Sequence, residues 1–202
     1  VGVLSLQGDF ARHRASLEAL GVEGVRVVCP EDLEGLEALV IPGGESTTMV
    51  RLMDRNALRP ALDRFVRDQP VLGTCAGVIL LGQDAEQLPA PPLGVLDVSV
   101  ERNAYGRQID SFSAPIEAPV LGRQVQGVFI RAPRIRRVGE GVEVVARRGE
   151  EVVGVRQGRI VGLCFHPELT SDLGFHRWFL AEVAGLRLPG GAEPAEHRLE
   201  TA

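Results

Sequence analysis

Pro70-Val71-Leu72-Gly73-Thr74-Cys75-Ala76-Gly77-Val78-Ile79-Leu80-Leu81 changes character halfway along. Up to Thr74 it is apolar and β-branched behind a proline, the composition of a short buried strand. From Val78 it is apolar at the spacing of a buried helix. Between them lies Gly73-x-Cys75-x-Gly77, the cysteine form of the G-x-S-x-G strand-to-helix turn. A turn this sharp brings neighbouring backbones too close for a Cβ, which accounts for both glycines. It also lifts the sulfur out of the sheet and sets it at a helix N-terminus. There, unpaired N–H groups and the positive end of the dipole favour thiolate over thiol. Cys75 is therefore a candidate nucleophile. A buried structural cysteine after a core strand is the alternative this stretch leaves open.

Outward from the elbow, strand and helix patterns alternate. Residues 1–6 read as a first strand ending at Gln7-Gly8. Asp9 then caps an amphipathic helix that buries Leu17 and Leu20 and stops at Gly21. Residues 25–28 read as a second strand closed by Pro30, and residues 38–41 as a third closed by Pro42-Gly43-Gly44. A helical region follows over 47–68, broken near Asn56. This order implies right-handed βαβ units: an α/β fold of three layers, a mainly parallel sheet with helices on both faces. Active sites in such sheets lie at the carboxyl ends of the strands, where Gly8, Gly43-Gly44 and Cys75 all fall. From Gln83 short alternating β runs (95–100, 142–146, 152–155) take over, separated by Gly-containing turns. They predict an antiparallel extension of the same domain. Residues 160–165 return to a core strand ending at His166-Pro167-Glu168. A last helix over 172–184 packs Phe175, Trp178 and Phe179. One domain over 1–187 and a disordered tail over 188–202 are expected.

Composition narrows the function. A length of 202 residues suits one well-buried domain. No apolar run approaches membrane-spanning length and no signal-peptide pattern opens the chain, so a soluble, cytoplasmic protein without membrane partners is expected. A net charge of −5 argues against nucleic acid as the main partner. Three cysteines at neither metal-ligand nor disulfide spacing suit a reducing compartment. The chain contains no lysine. That excludes Schiff-base catalysis and a phosphate-binding G-x-x-x-x-G-K-[ST] loop on this polypeptide.

A nucleophile needs a base within hydrogen-bond reach, itself oriented by a third group. In His166-Pro167-Glu168 the proline biases its neighbourhood to extended backbone, where residues two apart project to one side. Glu168 would then fix the His166 tautomer. The motif alone is no more than a surface His beside a surface Glu. Its position after a strand, at the sheet end that carries Cys75, raises it to a candidate. Ile41-Pro42-Gly43-Gly44-Glu45-Ser46-Thr47-Thr48 reads as a strand-to-helix loop capped by Ser46 or Thr47. Attack on a carbonyl also requires two N–H donors for the oxyanion. The N–H of Ala76 and one from Gly43-Gly44 are the candidates, and losing such a donor costs ~3–4 kcal/mol.

With these motifs the chain resembles the class I (triad) glutamine amidotransferases, and among them the glutaminase subunits of pyridoxal 5'-phosphate synthase. The resemblance runs through residues 2–8, 42–49 and 73–77, then 102–108, 129–133 and 166–168. Many class I amidotransferases have a glutamine shortly after the elbow, where this chain has Val78-Ile79-Leu80. The resemblance implies Cys75 as nucleophile, His166 as base and acid, and Glu168 as its orienting partner. It implies Gly44 and Ala76 as oxyanion donors, and Gly44, Glu45, Ser46, Arg102, Ile130 and Arg131 around L-glutamine. Arginine suits the α-carboxylate, since its planar fork matches it. No cofactor or metal is implied. The implied partner is a ring-forming synthase subunit that accepts ammonia and switches the glutaminase on by docking; the flexible Gly43-Gly44 peptide is our candidate for the switch. Two rival classes stay open: a stand-alone cysteine hydrolase or deglycase, and a silent assembly subunit. The former often has histidine directly after the elbow cysteine, where Ala76 stands.

Cys29 and Cys164 are expected to be buried apolar side chains. His13, His176 and His197 are expected on helix surfaces or in the tail. Tyr105 either rims the pocket or packs beside Arg102. Arg134, Arg136 and Arg137 read as surface charge or partner contact.

Overall fold

The computed structural model describes residues 1–85, 88–102, 104 and 111–189. Tyr105, His197 and the tail beyond Pro189 lie outside these residues. Strands β1 (Gly2–Leu4), β2 (Val25–Val27), β3 (Leu39–Ile41) and β4 (Val71–Thr74) fall where the sequence places them. Strands β5 (Gly82–Ala85), β6 (Leu96–Glu101), β7 (Ser111–Ala118), β8 (Arg123–Ile130) and β9 (Arg134–Val138) follow. Next come β10 (Glu143–Arg148), β11 (Glu151–Gln157) and β12 (Ile160–Leu163). Nine of these form one sheet in the order β2-β1-β3-β4-β12-β11-β10-β7-β8. Every pairing from β2 through β12 is parallel, and every pairing from β12 to β8 is antiparallel. The antiparallel extension thus continues the parallel sheet. A second, three-stranded sheet, β5-β6-β9, carries the alternating run around Val98.

Helices α1 (Phe10–Ala19), α2 (Ser46–Arg55), α3 (Arg59–Asp68) and α4 (Ala76–Leu81) connect the parallel strands and their edge. From β1 the chain steps outward to β2, whereas from β3 it steps the other way to β4. Crossovers of one hand running in opposite directions place α1 on one face and α2–α3 on the other. The last helix, α5 (Gly174–Trp178), continues as a π-helical turn over Phe179–Val183, burying Phe175, Trp178 and Phe179.

Local chemistry departs from expectation in two places. Asp9 precedes α1 without a capping hydrogen bond and instead pairs with Arg12 at 3.3 Å. The cap of α2 is Glu45, not Ser46 or Thr47: its carboxylate accepts the Thr47 and Thr48 N–H groups at 3.0 and 2.7 Å. A two-oxygen acceptor satisfies two orphan donors at once, where a hydroxyl serves one. Strand order reverses between β1 and β3. That makes the carboxyl ends of β1, β3, β4 and β12 the natural ligand crevice.

Candidate active site

The elbow is a strained turn held by close packing. Cys75 sits at φ 47° and ψ −103°, a conformation an L-residue keeps only where its surroundings over-determine it. A Cβ on Gly77 would lie 2.3 Å from the Ile41 carbonyl oxygen, and one on Gly73 2.7 Å from the Gly77 carbonyl carbon. Both glycines are therefore imposed by backbone approach. The Cys75 N–H donates to the Leu163 carbonyl at 2.8 Å, tying the elbow to the end of β12. Three residues on, the His166 N–H donates to Val128 of β8 at 2.8 Å, which draws in Ile130. The Ile130 carbonyl accepts from the Cys75 thiol at 3.8 Å.

His166 and Cys75 meet at Gly43, where an added Cβ would lie 2.3 Å from His166 Cε1 and 3.1 Å from Cys75 Cβ, and on its other side His166 Nδ1 is hydrogen-bonded to Glu168 Oε1 at 2.7 Å. The pair does not sit on extended backbone, however: Pro167–Leu169 form a 3₁₀ turn. Proline is pre-set for the first position of such a turn, and the turn still presents the carboxylate to the ring. Both groups are buried, at 7% and 4% exposure. Burial alone would lower His166. Interactions with Cys75 and Glu168 outweigh it and raise its pKa. Burial opposes the Glu168 carboxylate, but the imidazoles of His13 and His166 beside its two oxygens hold it far below the ordinary range.

Cys75 and His166 open onto a cavity of about 240 Å³, lined also by Gln7, Gly8, Asp9, Gly43, Gly44, Glu45, Ser46, Ile79, Arg102, Ile130 and Arg131. That is below the range of drug-sized pockets and suits a molecule the size of an amino acid. Gly44, Glu45, Ser46, Arg102, Ile130 and Arg131 thus all line the cavity of Cys75 and His166. Glu168 stands behind His166, and Ala76 is buried at the head of α4. Gln7 accepts the Glu45 N–H at 2.6 Å, and the Gly43 N–H donates to Thr74 Oγ1 at 3.1 Å. Arg102 donates to Thr47 Oγ1 at 3.0 Å and lies 3.5 Å from Glu45 Oε1. Burial works against ionised Glu45, but hydrogen bonds from Thr48 and Thr47 prevail and bring its pKa down to about 2. Arg131 takes a left-handed φ of 42° at the rim.

Two histidines expected on helix surfaces are in the interior. His13 is fully buried beside Glu168, and His176 is 1% exposed beside His13. The signal was present: His13 shares a helix face with Leu17 and Leu20, and His176 one with Phe179 and Leu180. Gln7 and Thr74 were likewise passed over, although each directly precedes a singled-out residue. Cys164 is buried as expected, which raises its thiol pKa well above the ordinary value. Cys29 is half-exposed instead, its thiol donating to Asp32 at 3.2 Å. Arg134 pairs with Glu151 at 2.6 Å, and Arg136 and Arg137 pair with Glu101 and Asp97. Among the described residues no cluster of three His, Cys, Asp or Glu side chains is placed to hold a metal ion. No helix among them is long and apolar enough to cross a membrane.

A mainly parallel sheet with an antiparallel extension, and a cysteine elbow at its carboxyl edge, is the architecture of the class I glutamine amidotransferases. A solved structure described as a glutamine amidotransferase superposes with a TM-score of 0.86 at 48% identity, covering 92% of this chain and 98% of that one. At 16% identity, a chain of the PurLQS structure from Thermotoga maritima shares the fold with a TM-score of 0.64, covering 89% of this chain and 96% of that one. The chain belongs to the SNO glutamine amidotransferase family, whose model matches residues 3–185. It is 53% identical over 182 residues to the pyridoxal 5'-phosphate synthase subunit PdxT of Pelotomaculum thermopropionicum, covering 89% of this chain and 93% of that protein. It is 52% identical over 189 residues to a PdxT of Thermus thermophilus, covering 92% of this chain and 98% of that protein.

Proposed function

We propose that this chain is the glutaminase subunit of a pyridoxal 5'-phosphate synthase, hydrolysing L-glutamine to L-glutamate and ammonia in the cytoplasm. The observation that carries the reading is Cys75 in a strained turn, packed with the buried His166 ring around Gly43, with Glu168 hydrogen-bonded to that ring at 2.7 Å. Arg102 and Arg131 offer guanidinium groups for the α-carboxylate of glutamine, and Glu45 a carboxylate for its ammonium. The Cys75 thiolate attacks the side-chain amide carbon, and the N–H groups of Ala76 and Gly44 receive the developing oxyanion. His166 gives its proton to the amide nitrogen as the C–N bond breaks, releasing ammonia and leaving a γ-glutamyl thioester. It then takes a proton from water. The hydroxide displaces the thiolate, and glutamate leaves.

Ammonia in water at neutral pH is mostly protonated and a poor nucleophile, so it has to pass directly to an acceptor enzyme. This chain has no lysine for the imine chemistry of ring assembly from pentose and triose phosphates. That chemistry sits on a synthase partner subunit in a hetero-oligomeric complex. Docking of the partner rotates the Gly43-Gly44 peptide so that its N–H meets the oxyanion. Glutamine turnover is measured for the isolated chain and for its mixture with a synthase subunit. Ammonia release only in the mixture supports both the function and the switch. Full turnover by the isolated chain refutes the switch, and none in the mixture refutes the function.

A further inference from the structure

Behind the Cys75–His166–Glu168 line the chain of polar groups continues. His13 Nε2 lies 3.3 Å from Glu168 Oε2 and 3.1 Å from Thr74 Oγ1, and His13 Nδ1 lies 3.0 Å from His176 Nε2. All four side chains are buried, with His13 and Thr74 fully so. Neither Glu168 Oε2 nor His176 Nδ1 has an aligned hydrogen-bond partner among the described residues, so the 3.3 Å approach of His13 Nε2 to Glu168 Oε2 is a close contact short of hydrogen-bond alignment. We propose that His13 is a positioning residue for glutamine hydrolysis: its Nε2–H turns to donate to Glu168 Oε2 and locks the carboxylate whose other oxygen holds His166.

The proton assignment follows from which group is the more expensive to leave unpaired. If Nε2 of His13 carries the proton, Glu168 has a donor on each oxygen. The unpaired groups are then the neutral Thr74 hydroxyl proton and one lone pair on His176. In the opposite arrangement Thr74 donates to His13, which donates to His176. A lone pair of His13 then faces a carboxylate oxygen at 3.3 Å, leaving a buried charged acceptor without a donor. An orphaned charge costs more than an orphaned neutral group, so the first arrangement prevails. Burial also keeps His176 neutral, so it can supply its Nε2–H to His13 Nδ1. Because Thr74 Oγ1 also accepts the Gly43 N–H at 3.1 Å, one hydroxyl joins this cluster to the Gly43-Gly44 loop.

The inference rests on the glutaminase reading, and two measurements separate their fates. In the ¹⁵N–¹H correlation spectrum of the imidazoles, His13 Nε2 is expected as a protonated nitrogen. A pyridine-like Nε2 overturns the proposal whether or not the protein hydrolyses glutamine. In the complex with its synthase partner, His13→Leu is expected to lower kcat about ten- to a hundredfold with KM for glutamine within about twofold, since one hydrogen bond to a charged group is lost. His13→Gln keeps an amide N–H near Nε2 and is expected to recover most of that loss. Equal kcat for wild type and His13→Leu, or no recovery in a folded His13→Gln, overturns the positioning role. An inactive wild-type complex overturns the glutaminase reading while the spectrum still decides the hydrogen bond.

Discussion

Replacing Gly43 by alanine puts a methyl group into the contact between the elbow and His166. The Gly43 backbone is not in the left-handed region, so alanine there is free of backbone strain and the effect is one of space. The new Cβ would sit 2.3 Å from His166 Cε1 and 3.1 Å from Cys75 Cβ. Ordinary contact begins near 3.4 Å, so the ring has to retreat by about 3.4 − 2.3 = 1.1 Å, tilting away from the sulfur. A misplacement of about 1 Å at a reacting group costs on the order of a hundredfold in rate. Forced overpacking adds about 1–3 kcal/mol of destabilisation, and a domain of this size loses about 2–4 °C in Tm per kcal/mol. The assay is steady-state glutamate formation by the complex of Gly43→Ala with its synthase partner, beside a thermal melt. We expect kcat to fall about a hundredfold. A kcat within about twofold of wild type, with the variant folded and docked, would refute the close approach of the loop and His166.

Acid stability follows from Glu168, whose folded-state pKa is held below its unfolded value by His13 and His166 against the penalty of burial. A depressed carboxylate contributes stability above the unfolded pKa, about 4.3, and loses it as pH falls toward the folded value. The urea midpoint of wild type should therefore drop below about pH 4.5, and more steeply than that of Glu168→Gln; parallel curves would contradict this. Glu45→Ala removes the acceptor of the Thr47 and Thr48 N–H groups and the neighbour of Arg102. Loss of a cap of this kind costs about 0.5–2 kcal/mol, which calorimetry should read as a lower Tm, and KM for glutamine should rise. An unchanged melt would mean that another group caps α2.

The fold was legible because most of the parallel strands are short apolar runs punctuated by glycine or proline; β2, with Arg26 at its centre, is the exception. Periodicity and punctuation together fix β1, β3, β4 and β12 to within a few residues. The elbow was legible for the same reason: Gly73 and Gly77 are demanded by backbone approach, so sequence and geometry state one constraint. The α2 cap was misread because Ser46 and Thr47 are good local caps. The competing preference of Glu45 for two N–H groups at once emerges only when the chain bends there. His13 and His176 sit at apolar helical spacing, but their polarity argues locally for a solvent position, and the groups that stabilise them inside are distant in sequence. The partners of His13, Glu168 and His176, are 155 and 163 positions away in the chain. Arg102 was placed at the site by resemblance alone, since the spacing of an arginine carries no sign of the pocket it reaches.

The central claim is that Cys75 is the nucleophile that receives the glutamyl group, and covalent capture tests it most directly. The complex with the synthase partner is treated with an electrophilic glutamine analogue and digested for peptide mass spectrometry. The account predicts one label per chain, on Cys75, with Cys29 and Cys164 unmodified and His166→Ala labelled far more slowly. A folded, docked protein that takes no label, or takes it on Cys29 or Cys164, would contradict it.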